Sequence, residues 1–402
     1  MERENQLTRS SKFARMSAAE MQRRHALLQA LSEAQEFDAL VTFGNEDDMS
    51  GYVRWFVDEP VSSYRTIVMF VPGEGMTVIE HGSAGGVRTH DPKSDDYQGV
   101  RAIHTVAAFQ SASYTAGYEA DVVTGIIRKR GLSRIGLVGM ANMPHRFVQQ
   151  LTDGVEGFAV LNDATDAVDI LLAIKSAEEQ DHIRAAAALQ DEVFAIVLSQ
   201  LRPGLREIDV TAIARAASLR LGGSGGVILT GSAPQGQFGP FKLAGSQNRI
   251  IQEGDYLSLL IENAGPSGHF TEIARNISIG KAGSQLIEAS EQSRLLQERI
   301  LLSMRLEAPC ADVFREHNRQ RAVAQHRAED RIFAHGQGYN LVERPLVRDD
   351  EPMVLKAGMN LAIHPTLVDT NRYFAVMCDN FLLKDDGSTE RIHATSQKVF
   401  EV

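Results

Sequence analysis

The sequence predicts a two-domain chain: an α/β first domain, then a second domain in which helix pairs alternate with strand pairs. Three observations lead there. The length of 402 residues suits two domains better than one. Short apolar runs alternate with helix-like segments through the first 160 or so residues. A capped helix start at Ser176 then follows a connector, and a new set of elements begins.

Residues 1–16 are polar and read as an arm. Segment 17–34 reads as a helix, because Ser17 can cap it and Glu20 stands three residues on. Its apolar residues recur at Met21, Ala26, Leu27 and Leu31. ALVTF (39–43) is a short buried strand. YRTIVMFV (64–71) and MTVI (76–79) form a hairpin around the PGEG turn. IGLV (135–138) is a further strand, with helices at about 116–130 and 143–152. A connector over 162–172 leads to KSAEE, where Ser176 and Glu179 make a capping box for a helix ending near residue 201, before Pro203 and Gly204. The boundary falls near residue 168, giving domains 1–168 and 169–402.

The second domain continues with a helix at about 207–221, a glycine cluster at 222–226 and a loop, GSAPQGQFGP (231–240). YLSLLIE (256–262) and RNISI (275–279) are strands. Helices fit 284–304 and 309–328, and strands fit 359–363 and 375–383. The sequence shows no internal repeat, low-complexity tract or coiled coil.

Composition narrows the function classes. Hydrophobic residues make up 43% and charged residues 23%, an ordinary soluble balance. The net charge of −11 argues against a nucleic-acid binder and supplies no basic patch for an anionic membrane. No apolar run approaches the ~20 residues of a membrane span, and the charged N-terminal stretch lacks the apolar core of a secretory signal. Two cysteines, Cys310 and Cys378, make neither a disulfide framework nor a CxxC knuckle. A reducing, cytoplasmic setting is expected. Neither GxGxxG after a strand nor GxxxxGK[ST] occurs, so nucleotide cofactors have no support.

The chemistry-bearing residues gather in the second half. His335 heads AHGQGYNLVERP (334–345), a glycine-rich stretch that also carries Glu343 and Arg344. Glu262 ends one strand and Glu272 precedes the next, so two carboxylates on adjacent strands can bind a cation or split their pKa values for acid–base work. His364 follows an apolar run, as a base, a ligand or a satisfied core histidine. Cys378 reads first as a small buried apolar residue. Arg54, Arg65, Arg344 and Arg348 can each grip a carboxylate.

The order of these pieces resembles the creatinase, prolidase and methionine aminopeptidase family. KSAEEQ resembles the entry to its first helix, and IQEGDYLSLLIENAGPSGHFTEIARNISIG its paired-aspartate segment. HGQGYNLVERP resembles the metal-histidine segment, LKAGMNLAIHPTL the first glutamate segment and AVMCDNFLLKDDGS the closing one. The resemblance implies an α/β N-terminal domain plus an α+β "pita-bread" C-terminal domain with a curved antiparallel sheet. The family's metalloenzymes hold two metal ions with two aspartates, a histidine and two glutamates. Those positions here hold Glu262, Glu272, His335, His364 and Cys378, and the paired acids stand one residue closer together. Val342 replaces a second family histidine, and Gln237 and Lys242 lie near the place of the substrate histidine.

The resulting expectation is a metal-independent, creatinase-like hydrolase of an amide- or amidine-like C–N bond in a small molecule. His335 or His364 is its base or proton shuttle, with Glu272, Glu343 and Glu262 as carboxylate partners. Arg65, Arg344, Lys242 and Gln237 are its substrate contacts. Two alternatives stand beside it. One is a metal-dependent Xaa-Pro peptidase-like hydrolase or lyase, with one divalent ion on Glu272, His335, His364 and Cys378. The other is a non-catalytic binding module. The resemblance further implies a homodimer, with the first domain of one subunit closing the other's cleft.

Overall fold

The structure is a computed structural model that describes residues 14–45, 51–59, 64–82, 85–91, 98–109 and 111–402. Nearly all of the arm expected over 1–16 lies outside the described residues. The chain divides into two compact units, Arg15–Leu172 and one built on Ala173–Val402.

The first unit is organised on one mixed sheet. Its strands are β1 (Ala39–Asn45), β2 (Arg65–Val71), β3 (Gly75–His81), β4 (Gly86–Thr89), β5 (Val100–Val106), β6 (Arg134–Val138) and β7 (Val160–Asp163), in the order β4-β5-β3-β2-β1-β6-β7. The expected hairpin is β2–β3, antiparallel, and β1 pairs parallel with β6. Val41, Phe43, Ile67 and Ile79 share a core with Ala120, Val123 and Ile127 of helix Tyr118–Arg130 and with Phe147 and Leu151 of helix His145–Val155. β4 is exposed throughout and β7 has exposed ends, so neither carries the apolar run that reveals a strand in sequence. The expected connector at 162–172 is instead the end of β7 and most of helix Thr165–Ala173.

The second unit opens on helix Ala177–Gln200. The Ser176 hydroxyl accepts from the Glu179 N–H at 3.1 Å, and the Glu179 carboxylate accepts from the Ser176 N–H at 2.9 Å. Its strands are β8 (Ser224–Pro234), β9 (Asp255–Ala264), β10 (Phe270–Ser278), β11 (Ala334–Gly336), β12 (Glu343–Leu346), β13 (Asn360–Ile363), β14 (Thr366–Asp369), β15 (Tyr373–Val376), β16 (Asp379–Leu383), β17 (Thr389–Arg391) and β18 (Phe400–Glu401). One sheet runs β18-β10-β9-β8 and another β12-β11-β13-β16-β17, with β14 and β15 as a separate ribbon. Every pairing is antiparallel except β10–β18.

Two expected boundaries shift. β8 takes up most of the glycine cluster and the start of the expected loop. The single strand expected over 375–383 is split between β15 and β16. At the break, the N–H groups of Ala274 and Cys378 donate to each other's carbonyls at 3.3 and 3.2 Å, joining β10 to the start of β16. That bridge sets Cys378 beside the strand that carries Glu272.

The same junction holds an ion pair. Arg275 Nη2 donates to Asp379 Oδ1 at 2.6 Å, and both side chains are fully buried. Arg391 and Gln397 also donate to Asp379. Removing one partner of such a pair leaves a buried charge uncompensated. Arg275→Met should therefore lower the unfolding free energy by about 3–5 kcal/mol in urea titration. A loss below about 1 kcal/mol would show that Arg391 alone satisfies the carboxylate.

Candidate functional site

A cavity of ≈ 270 Å³ opens within the second unit. Its apolar wall is made by Phe241, Leu260, Ile332, Val342, Val376 and Met377. Glu262, Glu272, Arg331, His335, His364 and Thr366 supply the polar lining.

The sheets account for the convergence. β9 and β10 pair so that Glu262 stands directly opposite Glu272. β11 and β13 are adjacent, with His335 opposite Ala362. His364 follows β13, and its N–H donates to the Phe333 carbonyl at 2.8 Å. The two imidazole centroids are then 5.2 Å apart, and His335 Nε2 lies 3.6 Å from Glu272 Oε2. Each of Glu272, His335 and His364 offers a donor atom within 4.8 Å of the other two.

The protonation pattern follows from the partners. His335 Nδ1 lies 2.8 Å from the Gly336 carbonyl, which can only accept, so Nδ1 carries the hydrogen and Nε2 of the neutral ring keeps its lone pair. Burial pushes the Glu272 carboxyl up, but the neighbouring His364 and His335 imidazoles outweigh it and hold the group down at about 2. Burial pushes His364 down to about 4 against the pull of Glu272. At neutral pH the cluster is thus one carboxylate with a neutral His364.

Cys378 stands outside this donor set. Burial, reinforced by the Glu272 carboxylate, pushes its thiol well above the usual range. The thiol donates to the Glu272 backbone carbonyl at 3.6 Å. Glu262 is also engaged, because its Oε1 accepts from Gln337 Nε2 at 2.7 Å. Gln337 Oε1 accepts from Asn380 Nδ2 at 2.8 Å, and Asn380 Oδ1 accepts from the Glu272 N–H at 2.6 Å. This amide chain ties the backs of the two acids together. Gln337 and Asn380 were not expected in the site; the only sequence signal was a polar residue between the two glycines of HGQGYN.

Five other expected site residues have partners elsewhere and do not line this cavity. Glu343 binds Lys175 Nζ at 2.5 Å and accepts from the Asn340 N–H at 3.0 Å, with both ion-pair side chains buried. Arg344 is clamped by Glu351. Lys242 Nζ donates to both oxygens of the buried Glu207 at 2.8 and 3.0 Å. Arg65 is buried in the first unit against Glu119. Gln237 uses its backbone carbonyl to accept from the Tyr256 hydroxyl at 2.9 Å and is not among the cavity-lining residues. Arg331 does line the cavity and was missed, because it sits in the charged run RAEDR, which reads as a solvated surface.

The donor set fits a divalent cation. It is one carboxylate and two imidazoles, with Glu272 anionic and His364 neutral as ligation requires. The Gly336 carbonyl fixes the His335 tautomer as outer partners of ligating histidines do. Tetrahedral donors about a cation stand roughly 3.4 Å apart, so closing from 4.8 Å asks for side-chain adjustments on the order of 1 Å. Among the described residues the converging group is Glu272, His335 and His364, and Cys378 and His364 occupy two positions where the family resemblance places glutamates.

Comparison with known proteins agrees with this architecture. Residues 181–385 match the description Metallopeptidase family M24. The probable dipeptidase PepE of Mycobacterium tuberculosis is 28% identical over 255 residues, and the same holds for that of Mycobacterium bovis. The match covers 61% of this chain and 65% of the relative, so the chain spans less than two thirds of those proteins' length. Among solved structures, the Xaa-Pro dipeptidase from Bacillus anthracis superposes with a TM-score of 0.75 at 17% identity, covering 95% of this chain and 100% of that one. The dipeptidase PepE from Mycobacterium ulcerans gives 0.73 at 20%, covering 97% and 100%. The prolidase from Thermococcus sibiricus gives 0.76 at 14%, covering 97% and 100%. The chain belongs to metallopeptidase family M24, a family of hydrolases with the pita-bread fold. Among the described residues no helix is long and apolar enough to cross a membrane.

Proposed function

We propose that this member of family M24 hydrolyses an amide C–N bond in a small, peptide-like substrate, with one divalent cation held by Glu272, His335 and His364. The observation that carries the reading is the convergence of one carboxylate and two imidazoles within 4.8 Å in a cavity of ≈ 270 Å³. The relatives named as dipeptidases favour a small peptide over the amidine-like substrate that the sequence suggested. The donor set favours the metal-dependent alternative over the metal-free expectation.

A cation in this site would polarise the scissile carbonyl and lower the pKa of a bound water. The chain's own groups set the conditions for it. The Gly336 carbonyl keeps the hydrogen of His335 on Nδ1 and so presents Nε2 toward Glu272. Asn380 holds the backbone of Glu272 and Gln337 holds the carboxylate of Glu262, which fixes both acids in register. Phe241, Leu260, Val342 and Val376 exclude water from one side of the cavity and strengthen the electrostatics within it.

The test is a metal analysis of protein purified without chelator, paired with hydrolysis of a panel of dipeptides, N-acyl amino acids and amidines. The expected result is close to one equivalent of zinc, iron or manganese, and cleavage of amides that chelator stops and added metal restores. The competing reading is metal-free hydrolysis, with His335 as a base whose ring is oriented by the Gly336 carbonyl. Cleavage by protein free of metal, indifferent to chelator, would establish that reading and overturn the metal-dependent one.

A further inference from the structure

Behind the two acids, the buried side chains of Gln190, His393, Asn380 and Gln337 form one hydrogen-bonded chain. Gln190, on helix Ala177–Gln200, starts it. Its Nε2 faces three acceptors: the Ile261 carbonyl at 2.9 Å, Asn263 Oδ1 at 2.9 Å and the Thr271 carbonyl at 2.7 Å. Ile261 precedes Glu262 on β9, and Thr271 precedes Glu272 on β10. One side-chain amide therefore spans the two strands at the residues that lead into the acids.

Those acceptors leave Gln190 Oε1 to meet His393 Nε2, at 2.8 Å. An amide oxygen can only accept, so the hydrogen of the neutral His393 ring sits on Nε2. Nδ1 keeps its lone pair and accepts from the Asn380 N–H at 3.2 Å. The Asn380 side chain then reaches both acids. Its Oδ1 accepts from the Glu272 N–H at 2.6 Å, and its Nδ2 donates to Gln337 Oε1 at 2.8 Å. Gln337 Nε2 in turn donates to Glu262 Oε1 at 2.7 Å. Turning over any one amide, or moving the His393 hydrogen to Nδ1, would set donor against donor or acceptor against acceptor at the next link. The chain therefore has a single polarity, and each link depends on the one behind it.

We infer that Gln190 and His393 are positioning residues for the paired acids. Neither lines the cavity; together they set where the backbone places Glu262 and Glu272, and through Glu272 the affinity of the site for its cation. The inference deepens the metal-dependent reading and rests on it for the cation. The positioning itself is separable, because the chain of hydrogen bonds forms without a cation.

Amide hydrogen exchange of the metal-free protein, paired with calorimetric titration of zinc, tests the inference without requiring turnover. The variants are His393→Leu, His393→Asn and His393→Gln. Asparagine carries an oxygen near the place of Nδ1 and can accept from Asn380. Glutamine reaches Gln190 instead and leaves Asn380 without its acceptor. His393→Leu and His393→Gln should speed exchange of the Glu272 N–H by roughly tenfold beyond the change shared by the other β10 amides, the effect of about one lost hydrogen bond. Zinc affinity should fall by roughly 10–100-fold, as when the outer partner of a metal ligand is removed. His393→Asn should keep most of the wild-type protection and affinity. A role in stability alone would speed exchange evenly along β10 and leave the zinc affinity of the folded protein unchanged. If His393→Leu fails to fold, His393→Asn against His393→Gln still gives the comparison. Even exchange along β10, zinc affinity in His393→Gln equal to that of the wild type, or equal losses in His393→Asn and His393→Gln would each overturn the inference. Selective exchange at Glu272 in variants of a protein that binds no zinc would retain the positioning and reject the cation.

Discussion

Glu272→Gln should leave the fold intact, empty the site of its cation and lower amide hydrolysis by roughly 10²–10⁴-fold, the equivalent of several kcal/mol of transition-state stabilisation. The substitution keeps the side chain's size but removes the only carboxylate in the three-residue donor set. Its backbone N–H still donates to Asn380, so register on β10 is kept. His335→Ala should also cost about 10²–10⁴-fold, whether the imidazole is a ligand or a base. Metal content separates the two roles: a ligand's loss empties the site, whereas a base's loss leaves metal content unaltered. Glu262→Gln is the control. Its Oε1 already accepts from an amide, so activity should fall less than in either other variant. Full metal occupancy and near wild-type turnover in Glu272→Gln would remove Glu272 from the site chemistry and with it the proposed donor set.

The parts of this site that were legible in the sequence are those written locally. The Ser176 capping box needs only residues three apart, and the β2–β3 hairpin only a turn between two apolar runs. His335 and His364 could be placed together only through the resemblance in segment order, and β11, which carries His335, pairs with β13, which His364 follows. Partnership across long separations was not legible. Glu343 sits two residues from the end of a suggestive motif, yet its charge is consumed by Lys175, 168 positions away in the chain. Arg344 meets Glu351 and Lys242 meets Glu207 by the same kind of tertiary pairing. A lone arginine or lysine carries no sequence mark that tells a committed ion pair from a cavity-lining charge. Arg331 shows the converse, since a run of charges usually denotes a solvated face.

The break at Met377–Cys378 shows a second limit. AVMCDNFLL is apolar apart from Asp379 and Asn380 and reads as one strand, but β15 and β16 belong to different sheets. The run changes sheets where Cys378 bridges Ala274, a contact set by β10 and not by local propensity. The consequence reaches the chemistry. The bridge brings Cys378 against Glu272 with its thiol protonated and donating to a carbonyl. A resemblance in segment order placed Cys378 near the site; only the packing shows that it lies outside the donor set.

Acid should destabilise the protein steeply between about pH 6.5 and pH 4, and His317 should account for a measurable share. His317 is 1% exposed, stacks on Phe333 at 4.1 Å between ring centroids, and neither ring nitrogen has a hydrogen-bond partner among the described residues. Burial first, and then the Arg321 charge, pushes it down to about 4. His393 is likewise pushed to about 4 by burial, against the attraction of Asp379. For a histidine with a depressed folded pKa, the unfolded chain binds the extra proton first. Stability is therefore constant above the ordinary value of 6.5, falls as pH drops toward 4, and is level again below. A shift of this size corresponds to roughly 3 kcal/mol per histidine. The two histidines differ in what their removal does at neutral pH. His393 Nδ1 accepts from the Asn380 N–H at 3.2 Å and Nε2 meets Gln190 Oε1 at 2.8 Å, so His393→Leu strands two buried polar groups and should destabilise at pH 7. His317→Leu strands none. It should be at least as stable as the wild type at pH 7, and the difference between its unfolding free energies at pH 7 and pH 4 should shrink by roughly 3 kcal/mol. Urea titrations of both proteins at the two pH values measure this directly, and an unchanged difference in His317→Leu would show that His317 does not contribute to the acid transition.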